Sequence, residues 1–351
     1  MRRNLAASQG FTLVEMVVSI GLLAIVFIGV LNMLDTSQKV SKVEAALADT
    51  QENVRFAAYH ITRTLRMTGG GEMPFARNDG TWVCGRVQNN ESGSVATDFG
   101  NVQVATGSDV LTLRGFFEVA PFFTNRTDID ASAGIVTVRE LRTPALGADI
   151  INPLDAVPNP ASLVGRGLLM MGRRQYAVGE ITAASIVDAS PDRHLVLTYA
   201  GGGAPWPSLN VDGSALGSGD PDFEVYRVGI LESYTYFVSP DFVLRRVGPN
   251  TGAAGEPVAV NIGSLQFALG LDTDGDGLVD LWDPDAAAAT VAASRLMAMQ
   301  LAVFGRTPFE ISEWTEPVDT FAGFDLDPDQ VNRGAKWRRM QVTASLRNFV
   351  L

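Results

Sequence analysis

The chain has 351 residues, of which 46% are hydrophobic, and 27 basic against 39 acidic residues give a net charge of −12. This acidity argues against a nucleic-acid backbone as the main partner, because phosphates bind clusters of lysine and arginine. The single cysteine, Cys84, excludes an intramolecular disulfide, and its apolar neighbours predict a buried thiol.

The chain begins with a short basic leader, residues 1–10, followed by an apolar run of 24 residues, 11–34. As a helix the run would extend ~36 Å, enough to cross a hydrocarbon core of ~30 Å. An ordinary secretory signal has its small cleavage-site residue after the apolar core, whereas Gly10 precedes this one. Because Arg2 and Arg3 are the only basic residues before the run, we expect the leader in the cytoplasm and everything after Leu34 outside it.

The junction between leader and apolar run carries a specific motif, Gly10-Phe11-Thr12-Leu13-Val14-Glu15. It resembles the class III signal of type IV pilins and type II secretion pseudopilins, Gly-Phe-Thr-Leu-(Val/Ile)-Glu. The resemblance implies that a prepilin peptidase cuts between Gly10 and Phe11 and methylates the new amine of Phe11. It also implies other minor and major pilins and an inner-membrane assembly platform as partners.

Glu15 is the one charge inside the apolar run. An ionisable group in a membrane span is costly, and such groups usually mark function. A buried carboxylate needs a partner of opposite charge, and the new α-amine of Phe11 is the nearest candidate, in the same chain or in a neighbouring subunit. Pairing between chains would set the axial stagger of neighbouring helices. The alternative is a plain signal anchor with an acid near the membrane edge.

Amphipathic spacing predicts that the helix continues over residues 35–68. One stripe, which also includes Thr50, is formed by Val40, Val43, Leu47, Val54, Ala58, Ile61 and Leu65. Glycines 69–71 and Pro74 end the pattern, so we expect a helix from about Thr12 to Met67, ~80 Å long. Its outer half must bury the stripe against a globular head; a periplasmic coiled-coil stalk is the alternative.

The remaining residues, 69–351, are predicted to form a β-rich head, as one large domain or two subdomains. Short apolar alternations bounded by turn residues predict strands at 109–115, 134–140, 167–172, 194–200, 232–238, 265–270, 296–304 and 339–348. Segments 85–108, 201–221 and 305–336 are predicted as loops. The fold class is therefore α+β, with a long N-terminal transmembrane and amphipathic helix packed on a large β-rich head.

Several head and helix residues extend the resemblance towards the PilW family, which comprises minor pilins involved in type IV pilus assembly. They are Gln51, Asn53, Arg55, Arg66 and Gly69, the segment 107–111, and the segment 345–348. The pseudopilin J family of type II secretion is similar in layout, usually with a smaller head.

A second motif, LDTDGDGLVDLWD, predicts a structural calcium loop at residues 272–283. The expected ligands are Asp272, Asp274, Asp276, the carbonyl of Leu278, Asp280 and Asp283, with Gly277 at the sharp turn. Aspartate replaces the usual glutamate at the last position, so affinity could be modest. A predicted strand before the loop and Pro284 after it favour a strand–loop arrangement over a true EF-hand; an acidic turn that binds nothing is the alternative.

Other charged or reactive groups are interpreted as structural. These are a solvated turn at Asp325, Asp327 and Asp329, a solvated basic face at Lys336, Arg338 and Arg339 beside Trp337, and the two histidines, His60 and His194. No nucleophile elbow, phosphate loop or dinucleotide motif is present, so we do not expect an enzyme.

These observations predict a PilW-like minor pilin of a type IV pilus. It would be held in the inner membrane with a periplasmic head before it joins an initiating or tip complex. The alternatives are a type II secretion pseudopilin, a calcium-dependent tip adhesin and a membrane-anchored hydrolase.

Overall fold

The computed structural model describes residues 12–69, 83–117, 122–123, 129–130, 134–139, 159–171, 176–189, 192–200, 227–249, 251–284, 295–311, 320–321, 324–325 and 334–346. The chain divides into two compact units, Met1–Asp49 and Thr50–Leu351. One helix, α1 (Leu13–Met67), contributes residues to both.

In the first unit, α1 exposes its apolar side chains from Leu13 to Leu34. Within the described residues, α1 is the one helix long and apolar enough to cross a membrane, with a mean hydropathy of 2.6 in its most apolar window. Beyond the apolar run its surface becomes charged, and Lys39 Nζ lies 2.7 Å from Asp35 Oδ2, one turn away. The helix predicted from about Thr12 to Met67 is confirmed.

In the second unit, α1 buries the predicted stripe from Thr50 onwards, whereas Val40, where the predicted stripe begins, is 50% exposed. Val54, Ala58, Ile61 and Leu65 are all at most 2% exposed and belong to the main core. Thr50 extends the same buried face, where its hydroxyl donates to the carbonyl of Arg306 at 3.2 Å. Burial of each large aliphatic side chain stabilises the fold by ~1.5–3 kcal/mol, so the stripe holds this part of the helix on the head.

Seventeen strands lie in the described residues. They are β1 (Gly85–Thr97), β2 (Gly100–Gly115), β3 (Phe122–Phe123), β4 (Ile129–Asp130), β5 (Ile135–Arg139), β6 (Gly167–Met171), β7 (Tyr176–Ala189), β8 (Asp192–Ala200), β9 (Arg227–Val238), β10 (Val243–Val247), β11 (Glu256–Val260), β12 (Ile262–Asp272), β13 (Leu281–Asp283), β14 (Arg295–Arg306), β15 (Thr320–Phe321), β16 (Phe324–Asp325) and β17 (Trp337–Ser345). A 3-10 helix, Pro160–Leu163, precedes β6.

All ladders among these strands are antiparallel. The large sheet has eleven strands, eight of them in the order β1-β2-β9-β6-β7-β8-β5-β4, and the second sheet has the order β13-β12-β14-β17. Each predicted strand overlaps an observed one, and the predicted α+β class, a long helix packed on a β-rich head, is confirmed.

The main core is formed between α1 and both sheets. Ile61 and Leu65 from the helix, Leu111 and Tyr236 from the large sheet, and Phe267 from the second sheet belong to one buried cluster. Cys84 lies in the same cluster and is 0% exposed, which confirms the predicted buried thiol. Burial raises the pKa of this thiol well above its ordinary value, because the thiolate would lose its hydration.

The prediction of a loop at 85–108 is wrong, because this segment forms a hairpin of β1 and the first half of β2. Val95, Val102 and Val104 are at most 4% exposed and pack with Phe237 of β9, although polar and glycine residues interrupt the apolar pattern around them. The predicted loop 201–221 lies outside the described residues. So does most of 305–336, where β14 ends at Arg306 and the short β15 and β16 pair.

Candidate functional site

The helix start carries a capping box formed by Thr12 and Glu15. Glu15 Oε2 accepts hydrogen bonds from the Thr12 N–H and from the Thr12 hydroxyl, both at 3.0 Å. In return, the Glu15 N–H donates to Thr12 Oγ1 at 3.3 Å. Two backbone donors that the helix cannot satisfy internally are thereby paired within the chain.

This geometry gives Glu15 a partner that the sequence prediction did not include. Gly10 and Phe11 lie outside the described residues, so the predicted pairing of Glu15 with the Phe11 amine remains a prediction. Both observed bonds to the carboxylate use Oε2. Oε1 therefore takes no part in the hydrogen bonds of the capping box.

The acidic loop lies between two antiparallel strands of the second sheet. Leu271 at the end of β12 pairs with Leu281, and Leu269 pairs with Asp283. Trp282 lies against Gly270, where a Cβ atom would come within 2.9 Å of the indole. The predicted strand before the loop is confirmed, and a short strand rather than a helix follows.

Three aspartates of the loop converge. Each of Asp272, Asp274 and Asp276 has one carboxylate oxygen that lies within 4.8 Å of the corresponding oxygens of the other two. Oxygens that bind one Ca²⁺ at 2.3–2.6 Å are at most about 5.2 Å apart, so this spacing fits a shared calcium ion. Asp272 is only 2% exposed, whereas Asp274 and Asp276 are exposed.

The loop backbone holds these carboxylates in place. Asp272 accepts from the N–H groups of Gly275, at 2.6 Å, and Gly277, at 2.9 Å. Asp274 accepts from the Asp276 N–H at 3.1 Å, and Asp276 accepts from the Leu278 N–H at 2.7 Å. Gly275 and Gly277 have φ values of 83° and 86°, which favour glycine and permit the tight winding.

The remaining predicted ligands are placed differently. Asp280 turns towards Thr273, whose N–H and hydroxyl donate to Asp280 Oδ2 at 2.8 and 3.0 Å. These bonds, led by the backbone one, hold the pKa of the Asp280 carboxyl below its ordinary value. Asp283 is half-buried on β13, and Leu278 exposes 66% of its surface. The structure thus gathers Asp272, Asp274 and Asp276 but leaves Asp280 and Asp283 outside that group.

The two histidines have structural surroundings. His60 Nδ1 lies 3.1 Å from the hydroxyl of Tyr236, which in turn lies 2.8 Å from Thr64 Oγ1. Burial lowers the pKa of His60, and the nearby cations of Arg246 and Arg63 act in the same direction against Glu256. His194 lies in β8, where it pairs with Arg139 of β5 and Val187 of β7.

The other charged clusters are described only in part. Asp327 and Asp329 lie outside the described residues, and Asp325 ends β16. Arg338 and Arg339 are exposed on β17, as interpreted from the sequence. Trp337 packs over Gly263, where a Cβ atom would lie 2.2 Å from the indole.

Sequence reasoning missed the role of Asp109, which it noted only as part of a family resemblance. Asp109 is 2% exposed and binds β12, the strand that leads into the acidic loop. The available signal was a carboxylate directly before the apolar strand segment 110–113.

Comparison with protein families matches residues 5–31 to the prokaryotic N-terminal methylation motif. This range includes the predicted cleavage site, Glu15 and most of the apolar run. The chain therefore carries the N-terminal signal of prepilin-type proteins.

Among solved structures, the chain is similar to a type IV-like pilin from Thermus thermophilus. The two are 11% identical, the match covers 53% of this chain and 87% of that one, and the TM-score is 0.23. None of the curated proteins compared with the chain matches it significantly.

Proposed function

We propose that the chain is a minor pilin of a type IV pilus, cut after Gly10 and assembled through Phe11 and Glu15. The observation that carries this proposal is the methylation motif at residues 5–31, which leads directly into the exposed apolar part of α1. The same helix then packs on a β-rich head from Thr50 onwards. An apolar anchor with a folded head is what subunit transfer from the inner membrane into a filament requires.

The proposed assembly contact is an ion pair between Glu15 and the α-amine of Phe11 in a neighbouring pilin. The capping box supports this role, because Thr12 fixes the carboxylate at the start of α1 through Oε2 alone. A fixed anion in a hydrocarbon environment favours one axial position of an adjacent amine, since any other position leaves a charge unpaired. Major and minor pilins are the partners, after processing by the prepilin peptidase at the assembly platform.

A place in an initiating or tip complex is proposed from the size of the head. The second unit spans Thr50–Leu351, and a head of this size would crowd a tightly packed shaft. We expect few copies per filament, measured by quantitative mass spectrometry of purified pili. Abundant incorporation along the shaft would contradict a tip position.

We further propose that the acidic loop binds a structural calcium ion. Asp272, Asp274 and Asp276 would supply carboxylate oxygens and Leu278 a carbonyl, with Asp280 and Asp283 completing the shell directly or through water. The ion would neutralise carboxylates that otherwise repel one another. Extracellular calcium modules bind at roughly 10⁻⁴–10⁻³ M, so a loop that ends in aspartate is sufficient outside the cytoplasm.

Deletion of the gene tests whether the chain belongs to a type IV pilus. A minor pilin predicts loss or strong reduction of surface pili, counted by electron microscopy and restored by the parent gene. Intact pili together with lost protein secretion would assign the chain to a type II pseudopilus instead. Intact pili, intact secretion and lost adhesion would assign the head a tip-adhesin role.

A further inference from the structure

The β1–β2 hairpin has a sharp bend, formed by residues 88–93 of β1 and 104–109 of β2. The pairing register shifts twice here, between Gln88 and Glu91 and between Glu91 and Gly93. Asn90 has a φ of 48°, a left-handed conformation that asparagine tolerates better than most residues. The outer half of the hairpin folds back, so that Asp98 at its turn bonds to Arg114 at 2.7 Å.

This hairpin bend is bonded to β12, the strand that leads into the acidic loop. Asp109 Oδ1 accepts from the Asn90 N–H at 2.9 Å, and Oδ2 accepts from the Phe267 N–H at 2.7 Å. Ser108 Oγ accepts from the Leu265 N–H at 3.0 Å. Side-chain oxygens of Ser108 and Asp109 thus accept the backbone N–H groups that β12 would otherwise donate to a neighbouring strand.

The hairpin bend is also bonded to the residue directly after the loop. Asn89 Nδ2 donates to the carbonyl of Pro284 at 2.5 Å, and both residues are half-buried. Pro284 follows Asp283, the last predicted ligand. Asn89 therefore bonds directly to the chain after the loop, and Asn90 is connected through Asp109 to the chain before it.

Holding both ends of the acidic loop in place should strengthen its binding of an ion. Asp272, Asp274 and Asp276 are like charges, so the empty loop favours conformations in which its carboxylates separate. Bonds that hold both ends in place reduce the conformational freedom lost when the carboxylates gather around an ion. Asp109 is suited to this role, because a buried carboxylate that accepts two backbone N–H bonds resists displacement.

We propose that Asn89 and Asp109 are positioning residues for calcium in the acidic loop, and that ion binding is thermodynamically linked to order in the hairpin bend. This inference rests on the proposed calcium site. Neither residue contacts the ion; each acts through the chain ends that it holds. Because linkage is reciprocal, calcium stabilises the bend by the same factor by which the bend tightens calcium binding.

Isothermal titration of calcium into the full-length protein in detergent tests the proposal. We expect Asn89→Ala and Asp109→Asn each to bind calcium about tenfold more weakly than the parent, as outer-shell changes commonly do. Thr97→Ala is the matched control, because it removes a side-chain hydrogen bond at the tip of the same hairpin, to the Gly100 carbonyl at 2.7 Å, that reaches neither the bend nor β12. We expect the control to bind with parent affinity even if its melting temperature falls.

A second readout separates positioning from general destabilisation. Hydrogen exchange at the amides of Asn90 and Phe267 should slow when calcium is added to the parent, and this change should shrink in Asn89→Ala. Parent affinity in Asn89→Ala and in folded Asp109→Asn would overturn the positioning role while leaving the calcium site intact. A parent protein that binds no calcium would overturn both.

Discussion

At the residue scale, the helix capping by Glu15 and the pairing proposed for it can be separated by mutation. The capping box needs only an acceptor at this position, whereas pairing with an amine needs a negative charge. Glutamine retains the acceptor and loses the charge.

We therefore expect Glu15→Gln to be processed and folded but not assembled into pili. Thr12→Ala is the comparison: it removes the capping hydroxyl at a cost of ~1 kcal/mol but leaves the charge in place, so it should reduce assembly less than Glu15→Gln does. Immunoblots of sheared pili measure assembly, and circular dichroism measures folding. Incorporation of Glu15→Gln at the parent level would refute the ion-pair role.

The loop aspartates should contribute stability only when calcium is present. We expect calcium to raise the melting temperature of the parent but not that of the double variant Asp274→Ala/Asp276→Ala. A site filled at a hundredfold excess over its Kd stabilises by ~2.7 kcal/mol. In chelator the double variant should be at least as stable as the parent, because two like charges are gone.

The control for this experiment is the parent itself, melted in calcium and in chelator. Identical melting temperatures would argue against an ion site in the loop.

His60 should make the head less stable in mild acid. Its pKa is lowered in the folded protein, chiefly by burial, so the unfolded chain binds a proton more readily. Stability from this group is therefore complete above the ordinary histidine pKa of about 6.5 and declines as the pH falls below it.

We expect the melting temperature to fall between pH 7 and pH 5.5, and His60→Gln to reduce that fall, since glutamine cannot acquire the charge. An equal fall in parent and variant would exclude His60 as its source.

At the scale of elements, the contact of α1 with β14 depends on Gly305. A Cβ atom there would lie 2.3 Å from Val54 Cγ2 and 2.8 Å from Thr50 Cγ2. Overpacking of this kind usually costs ~1–3 kcal/mol.

We expect Gly305→Ala to destabilise the head, and Val54→Ala to be less harmful in that background than in the parent, because it removes the nearer of the two clashing methyl groups. Denaturant unfolding of the four proteins gives the coupling energy. Strictly additive effects would show that the helix does not approach β14 at this point.

Elements with a regular pattern were predictable from sequence. Val54, Ala58, Ile61 and Leu65 follow the helical period, and the predicted strands carry short apolar or aromatic alternations bounded by turn residues. The hairpin at 85–108 was missed because Asn90, Gly93 and Gly107 look like loop residues. In the structure they bend paired strands instead.

At the scale of the whole molecule, the candidate sites were predictable only as far as local sequence determines them. The spacing of Asp272, Asp274 and Asp276 brings them together through neighbouring backbone bonds. Asp280 instead accepts a hydrogen bond from Thr273, and the spacing of the motif does not predict this bond. The bonds from Asp109 to Phe267 and from Asn89 to Pro284 join distant parts of the chain, so no local pattern indicates them.

The two units differ in what they bury. Met1–Asp49 exposes the apolar run that is proposed as a membrane anchor, whereas Thr50–Leu351 is a head with its own buried core. Everything proposed for the anchor depends on removal of the leader, since only cleavage creates the amine at Phe11.

Mass spectrometry of the mature amino terminus tests that dependence most directly. We expect a protein that begins at Phe11 with a methyl group on its α-amine. A strain without the prepilin peptidase is the control and should retain the leader. A mature protein that still contains residues 1–10 in the peptidase-positive strain would refute cleavage after Gly10 and the pairing proposed for Phe11.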